Sequence, residues 1–333
     1  MRQPAAVRTA ALCGGLIAAN AAAWVWCWTM LGGDALLLGT AFLAYSFGLR
    51  HAVDADHIAA IDNATRKLIE LGSPAATTGL FFSLGHATVV LASIAVALSA
   101  AGFPTGFAAL RPLAGTIGIG ISAASLFALA VANMVVLVSV ARLLIAVKRG
   151  EQPAEAELAR LLSRRGLLGW LLRGLFRLIT KSWHLYPLGF LFGLGFDTAT
   201  EIGLLAVSAM QAARGLPLAA IMVFPALFTA GMVLIDSLDG MIMAGAYRWA
   251  ALEPYRKLYY NLAITAASVV VAVAIGGLEV LQLVGGDSGS ANVLWRAVSV
   301  VNDHFGTIGA AVVALFATGW IASMLMSRRP PLR

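Results

Sequence analysis

The sequence predicts an all-α, polytopic membrane protein with about eight transmembrane helices. Two observations predict it. Of the 333 residues, 60% are hydrophobic and only 12% are charged, whereas a soluble domain carries about 25% charged residues. The apolar residues also fall in repeated, continuous runs of about 20 or more, the length that crosses a bilayer as a helix. The runs do not alternate as barrel strands do, and a chain in hydrocarbon must satisfy its own backbone groups, so helices are expected. The net charge of +7 belongs to loops that face an anionic leaflet and does not call for nucleic acid.

The first run covers residues 9–31. Arg2 and Arg8 precede it and residues 19–23 are small, as in a signal peptide. The stretch stays apolar to about Met30, so it is read as a retained first helix. Cys13 and Cys27 both lie in it and are read as small packing residues rather than a disulfide. The second and third runs cover 35–60 and 76–100. The fourth, 114–147, is long for one helix: it is either tilted, or it projects from the membrane with Arg142 near its end. A long polar stretch follows at 148–185, in which Arg160, Arg164, Arg165, Arg173 and Arg177 mix with leucines and Trp170. It reads as an amphipathic helix on the inner leaflet, with a regulatory or docking loop as the alternative. The remaining runs are 186–211, 217–245, 258–284 and 308–326, with a flexible, turn-like loop at 285–292. The chain therefore divides into an N-terminal membrane half (1–147), a basic cytoplasmic loop (148–185) and a C-terminal membrane half (186–333).

The basic residues orient this layout. One side collects Arg2, Arg8, Arg66, Lys67, eight residues of the 148–185 loop, Arg248, Arg256, Lys257, Arg328, Arg329 and Arg333. The other side has Arg111, Arg214 and Arg296, while Arg50 and Arg142 fall within spans. The positive-inside rule then places both termini in the cytoplasm, in a multi-pass protein of the cytoplasmic (inner) membrane.

Four polar clusters interrupt the apolar spans. Each ionisable group at mid-membrane costs about 2.5–3.5 kcal/mol on insertion scales, so such groups mark function. The first cluster, in the second span, is Arg50-His51-Ala52-Val53-Asp54-Ala55-Asp56-His57-Ile58. Histidine and aspartate without nearby thiols are the ligand set of a borderline divalent cation. On an ideal helix His51, Asp54 and His57 share a stripe about 120° wide and Asp56 points elsewhere. Either Asp56 pairs with another group, such as Arg50, or the helix is broken here, as at many transporter ion sites. The second cluster places Ser83 and His86 on one face of the third span, next to Gly85, which allows close helix approach. The third, Leu194 to Glu201, puts Asp197 and Glu201 four residues apart on the fifth span, together with Thr198 and Thr200. Two such carboxylates repel unless a cation or proton sits between them. The fourth, on the sixth span, has Asp236 and Asp239 three residues apart, after Gly231-Met232. Met232, Met241 and Met243 nearby read as core filling. Asp54, Asp56, Asp197, Glu201, Asp236 and Asp239 thus face one intramembrane arginine and three histidines. A bound dication, or protons on some acids, compensates them.

Gly48-Leu49 before Asp54-Ala55-Asp56 is matched by Gly193-Leu194 before Asp197-Thr198-Ala199. Spans two to four and five to seven can therefore be read as inverted repeats. No phosphate-cradling Gly-Lys-Ser/Thr loop is present, so any ATPase would be a separate chain.

The four clusters resemble the motifs of the nickel/cobalt transporter (NiCoT) family, of the bacterial high-affinity nickel permease type. Arg50 to Ile58 looks like the family's second-helix signature, and Phe82 to Val90 like its third-helix motif, with Ala87 in place of the usual serine. Leu194 to Glu201 matches the fifth-helix motif, and Gly231-Met232 through Asp239 the sixth, with Ser237 in place of threonine. The resemblance implies a secondary transporter that takes up Ni²⁺ or Co²⁺ as substrate, with no cofactor. It implies that His51, Asp56 and His57 are central to selectivity and that His86 cooperates.

The expected metal ligands are therefore His51, Asp54, Asp56, His57 and His86, with Arg50, Ser83, Asp197, Thr198, Glu201, Asp236 and Asp239 lining the ion route or carrying protons. The competing readings are a metal efflux permease and an intramembrane metal-dependent hydrolase. A His-poor 148–185 loop speaks against the first, and the lack of His-Glu-x-x-His against the second. Nickel against cobalt, the energy source and the oligomeric state are not encoded in these features.

Overall fold

The computed structural model describes residues 5–99, 179–194, 199–251 and 254–285 continuously, with parts of 116–149 and 300–318. The helices are α1 (Ala5–Leu31), α2 (Ala35–His51), α3 (Ala55–Glu70), α4 (Thr78–Ser99), α5 (Leu185–Gly193), α6 (Ala199–Ala213), α7 (Leu218–Ile221), α8 (Val223–Ala251) and α9 (Pro254–Gly285). No strand occurs among the described residues. The protein is an all-α, multi-pass membrane protein. Thr9–Leu31, Thr78–Ala95, Leu218–Tyr247 and Thr265–Gly285 are long and apolar enough to cross a bilayer. They correspond to the first, third, sixth and seventh predicted spans. The fourth predicted span is described in part, as the apolar helix Ile119–Val135. The eighth, and the loop up to residue 178, lie mostly outside the described residues.

Two predicted spans differ from single helices. The second runs further than 35–60 and is broken: α2 ends at His51, α3 begins at Ala55 and continues to Glu70, and the two are bent by 50°. The cause is local. Asp54 takes an extended conformation (φ −65°, ψ 145°) as the N-cap of α3, and Asp56 follows in its first turn. Asp54 makes no side-chain cap hydrogen bond, but both carboxylates lie at the positive end of the helix, where acidic residues are favoured. The fifth predicted span, 186–211, is likewise two helices: α5 ends at Gly193 and α6 starts at Ala199.

Arg66 and Lys67, expected in a loop, lie in the last turns of α3 and are buried. The Arg66 guanidinium stacks 4.7 Å over the Tyr247 ring and donates to Thr265, which ties α3 to α8 and α9.

Helix α8 packs against α1, α2, α3 and α4, and α4 lies along α5. Tyr45 Oη donates to Asn20 Oδ1 (3.0 Å), and Asn20 Nδ2 donates to the Ala230 carbonyl (3.4 Å), joining α1, α2 and α8. Cys27 and Met232 fill the core around Phe224, Leu227 and Phe228; Met243 packs with Ile58 and Tyr247. Both cysteines are free.

Two backbone crossings set the position of α4. An added Cβ on Gly79 would land on the Asp236 carbonyl, and one on Gly85 on the Tyr186 carbonyl. Neither obstacle is a side chain that can swing away. Overpacking of this kind costs about 1–3 kcal/mol or more. Gly85→Val is therefore expected to lower the melting temperature of the purified protein markedly. Gly39→Ala, with nothing within 4 Å, is expected to leave it unchanged. Equal melting temperatures for the two variants would refute the crossing.

Candidate metal centre

Three histidines meet where α2, α3 and α4 converge on α8. On a straight helix, His51 and His57 would lie about 9 Å apart along the axis. The break at 52–54 folds them together, with ring centroids 4.6 Å apart. His86 of α4 completes a near-equilateral triangle, 4.9 Å from His51 and 4.8 Å from His57. All three are buried. Phe82 stands edge-on to His57 (4.9 Å) and Phe228 lies 5.4 Å from His51, so the walls are aromatic.

Each ring is held from behind by oxygen. His51 Nδ1 is 3.2 Å from Asp54 Oδ2 and 3.2 Å from Thr200 Oγ1. His57 Nδ1 is 3.1 Å from Asp236 Oδ2, which also accepts from Ser83 Oγ at 2.6 Å. An ionised carboxylate can only accept, so Nδ1 of both rings carries the proton and Nε2 presents the lone pair. This carboxylate–histidine pairing orients metal ligands and raises their basicity. His86 Nε2 is 2.9 Å from Glu201 Oε1 and 3.0 Å from His51 Nε2. His57 Nε2 and His86 Nδ1 are buried with no hydrogen-bond partner.

The donor set fits a borderline transition-metal ion. One nitrogen from each ring can be chosen so that all three lie within 4.8 Å of one another. Metal–imidazole bonds of about 2.0–2.1 Å put ligand nitrogens about 3–3.5 Å apart. The His51–His86 pair already has that spacing, and His57 has to close in. Among the described residues, this is the group of three or more His, Cys, Asp or Glu side chains with that convergence. Asp54, Asp56, Glu201 and Asp236 act electrostatically on these rings. This surplus of acid around three imidazoles favours a doubly charged guest.

Comparison with known proteins settles the family. The family model for the high-affinity nickel-transport protein matches residues 37–326. A hydrogenase nickel incorporation protein, HupN, of Bradyrhizobium diazoefficiens is 48% identical over 322 residues, 96% of this chain and 84% of its own. The chain belongs to the high-affinity nickel-transport protein family. A high-affinity nickel transport protein of Cupriavidus necator is also 48% identical, over 94% of this chain and 90% of its own. The cobalt transport protein NhlF of Rhodococcus rhodochrous is 37% identical over 89% of this chain and 85% of its own. No solved structure matches. The family expected from four short motifs is the family found, and it is one of transporters, not enzymes.

Within this member of the nickel-transport family, the predicted residues fall into distinct places. His51, His57 and His86 converge, while Asp54 stands behind His51. Asp56 is half-buried at the start of α3, and its Oδ1 has no hydrogen-bond partner. The helix break, rather than a pairing with Arg50, explains its position. Arg50 is exposed, in the last turn of α2. Asp236 holds His57 and accepts from Ser83, and Glu201 sits against His86. Asp239, one turn beyond Asp236, is buried with both oxygens unbonded. Asp197 and Thr198 lie outside the described residues. Thr200, Phe82 and Phe228 are not among the residues expected from the sequence to serve the site, although the third-helix motif begins at Phe82. Thr200 lies inside the fifth-helix motif, which is the signal that points to it; nothing in the sequence marks Phe228.

Proposed function

We propose that this protein is a secondary transporter that takes up Ni²⁺ and/or Co²⁺ across the cytoplasmic membrane. The observation that carries this reading is the triangle of three buried imidazoles, backed by carboxylates and assembled at a broken helix. Imidazole nitrogen suits Ni²⁺ and Co²⁺ alike, and the lack of thiolate keeps the ion exchangeable. The names of the relatives point the same way: nickel transport for several and cobalt transport for one.

In this reading His51, His57 and His86 supply nitrogen to the ion, and Asp56 contributes charge at the mouth of α3. Ser83, Asp236 and Thr200 position the rings. His86 Nε2 shares its proton with Glu201 and His51, so an arriving cation displaces it and Glu201 is placed to receive it. Asp197 and Thr198, preceding α6, extend the route. The basic loops put both termini in the cytoplasm. The two membrane halves, 1–147 and 186–333, flank a surface-lying loop at 148–185, and no ATPase motif lies in the chain.

Radiolabelled Ni²⁺ and Co²⁺ accumulation in cells expressing the protein tests this. Each ion is expected to accumulate and to compete with the other, and collapse of the proton gradient is expected to slow both. Accumulation no greater than in cells lacking the protein would refute uptake.

A further inference from the structure

Beyond the histidine triad lies a second buried acidic centre. Asp239 of α8 is 5% exposed, and neither carboxylate oxygen has a hydrogen-bond partner. The carboxylates acting on it are Asp62 and Asp236. Asp62 of α3 is itself 1% exposed. It accepts from the Tyr247 hydroxyl and, at 2.6 Å, from Ser268 Oγ of α9. Arg66 faces Asp62 and lies over Tyr247. Asp62 therefore has two hydroxyl donors and a cation, whereas Asp239 has neither among the described residues.

The placement is directional. His57 pairs with Asp236, and Asp62 with Tyr247, so α3 and α8 run the same way. From the triad, Asp239 is one helical turn further along α8, and Asp62 about 7.5 Å further along α3. Both steps lead toward the C-terminal ends of α3 and α8, where Lys67 and Arg248 lie and after which Arg256 and Lys257 follow in sequence, the cytoplasmic side by the charge rule.

We propose that Asp239 and Asp62, with the hydroxyls of Ser268 and Tyr247, form a second divalent-cation site, an oxygen-lined release station between the histidine triad and the cytoplasm. The inference rests on the uptake reading for its direction, not for the existence of the site. A buried carboxylate with no hydrogen bond and no counter-charge is strongly disfavoured, so a cation or a proton belongs beside it. Oxygen ligands hold Ni²⁺ and Co²⁺ less tightly than imidazole does. An ion passed from nitrogen to oxygen is thus held loosely enough to leave, which conduction through successive sites requires.

Mn²⁺, which prefers oxygen ligands, is the probe. Its binding to the full-length protein in lipid nanodiscs is read by electron paramagnetic resonance. The wild type and His57→Ala are both expected to hold Mn²⁺. Asp239→Asn is expected to lose at least tenfold in affinity, and Ser268→Ala several-fold. No protein-bound Mn²⁺ in the wild type would overturn the proposal. So would a bound signal that vanishes in His57→Ala and persists in Asp239→Asn, which marks the triad instead. Should Asp239→Asn not fold, Ser268→Ala decides: an unchanged Mn²⁺ affinity overturns the site. Ni²⁺ binding by equilibrium dialysis separates the two readings. Failure with Mn²⁺ while Ni²⁺ still binds at the triad removes only the second site. Absence of Ni²⁺ binding removes the uptake reading whatever Mn²⁺ does.

Discussion

His57→Ala is expected to abolish Ni²⁺ accumulation in cells, with residual uptake at roughly one hundredth of wild type or less. Changes to groups that merely orient a metal ligand cost 10–100-fold, and loss of the ligand itself costs more. His57 is the ring with the clearest vacant coordination position, since its Nε2 is buried and unpaired while Asp236 holds its Nδ1. Alanine removes the third corner of the triangle, and the remaining His51–His86 pair cannot enclose an ion. It also leaves Asp236 without its imidazole partner and a void beside Phe82, so expression and melting temperature are measured alongside uptake. His57→Gln keeps most of the volume and is expected to restore folding without restoring transport. Wild-type accumulation in either variant would refute the role of His57.

Asp236→Asn is expected to weaken Ni²⁺ binding by about 10–100-fold, the usual effect of removing a carboxylate behind a ligating histidine. Asp236 accepts from His57 Nδ1 and from Ser83 through one oxygen, Oδ2. An amide in its place lacks the negative charge that makes Nε2 a stronger donor, and its NH₂ can face the ring the wrong way. Ser83→Ala leaves that charge in place and removes only one donor, so its expected loss is smaller, several-fold at most. Equilibrium dialysis of the purified variants reads both effects. An Asp236→Asn protein with wild-type affinity would show that the ring is oriented by packing against Phe82 and His86 alone.

Much of this was legible in the chain. Continuous apolar runs predict helices in a bilayer because hydrocarbon leaves a backbone no other way to satisfy its polar groups. The same reasoning makes each buried ionisable residue conspicuous, so His51, His57, His86, Glu201, Asp236 and Asp239 are all legible in the sequence. Asp54 illustrates the limit. Its residue type suits a metal ligand, an N-cap and a histidine partner equally; in the structure it stands at the N-cap position with its side chain turned to His51 and not onto its own helix. Arg66 and Lys67 show the opposite failure. Two adjacent cations after an apolar stretch read as loop, whereas an aromatic face and a threonine from distant helices make the burial of Arg66 tolerable.

By itself, the sequence determined the helical class, the membrane environment and the inventory of nitrogen and oxygen ligands, because these follow from composition and short-range pattern. The 50° bend that brings His51 to His57, the crossing that carries His86 between them and the burial of Asp239 without a hydrogen bond were decided only in three dimensions. The physical reason is that residues 35 to 179 positions apart along the chain, such as His51 with His86 or His57 with Asp236, become neighbours only when whole helices pack.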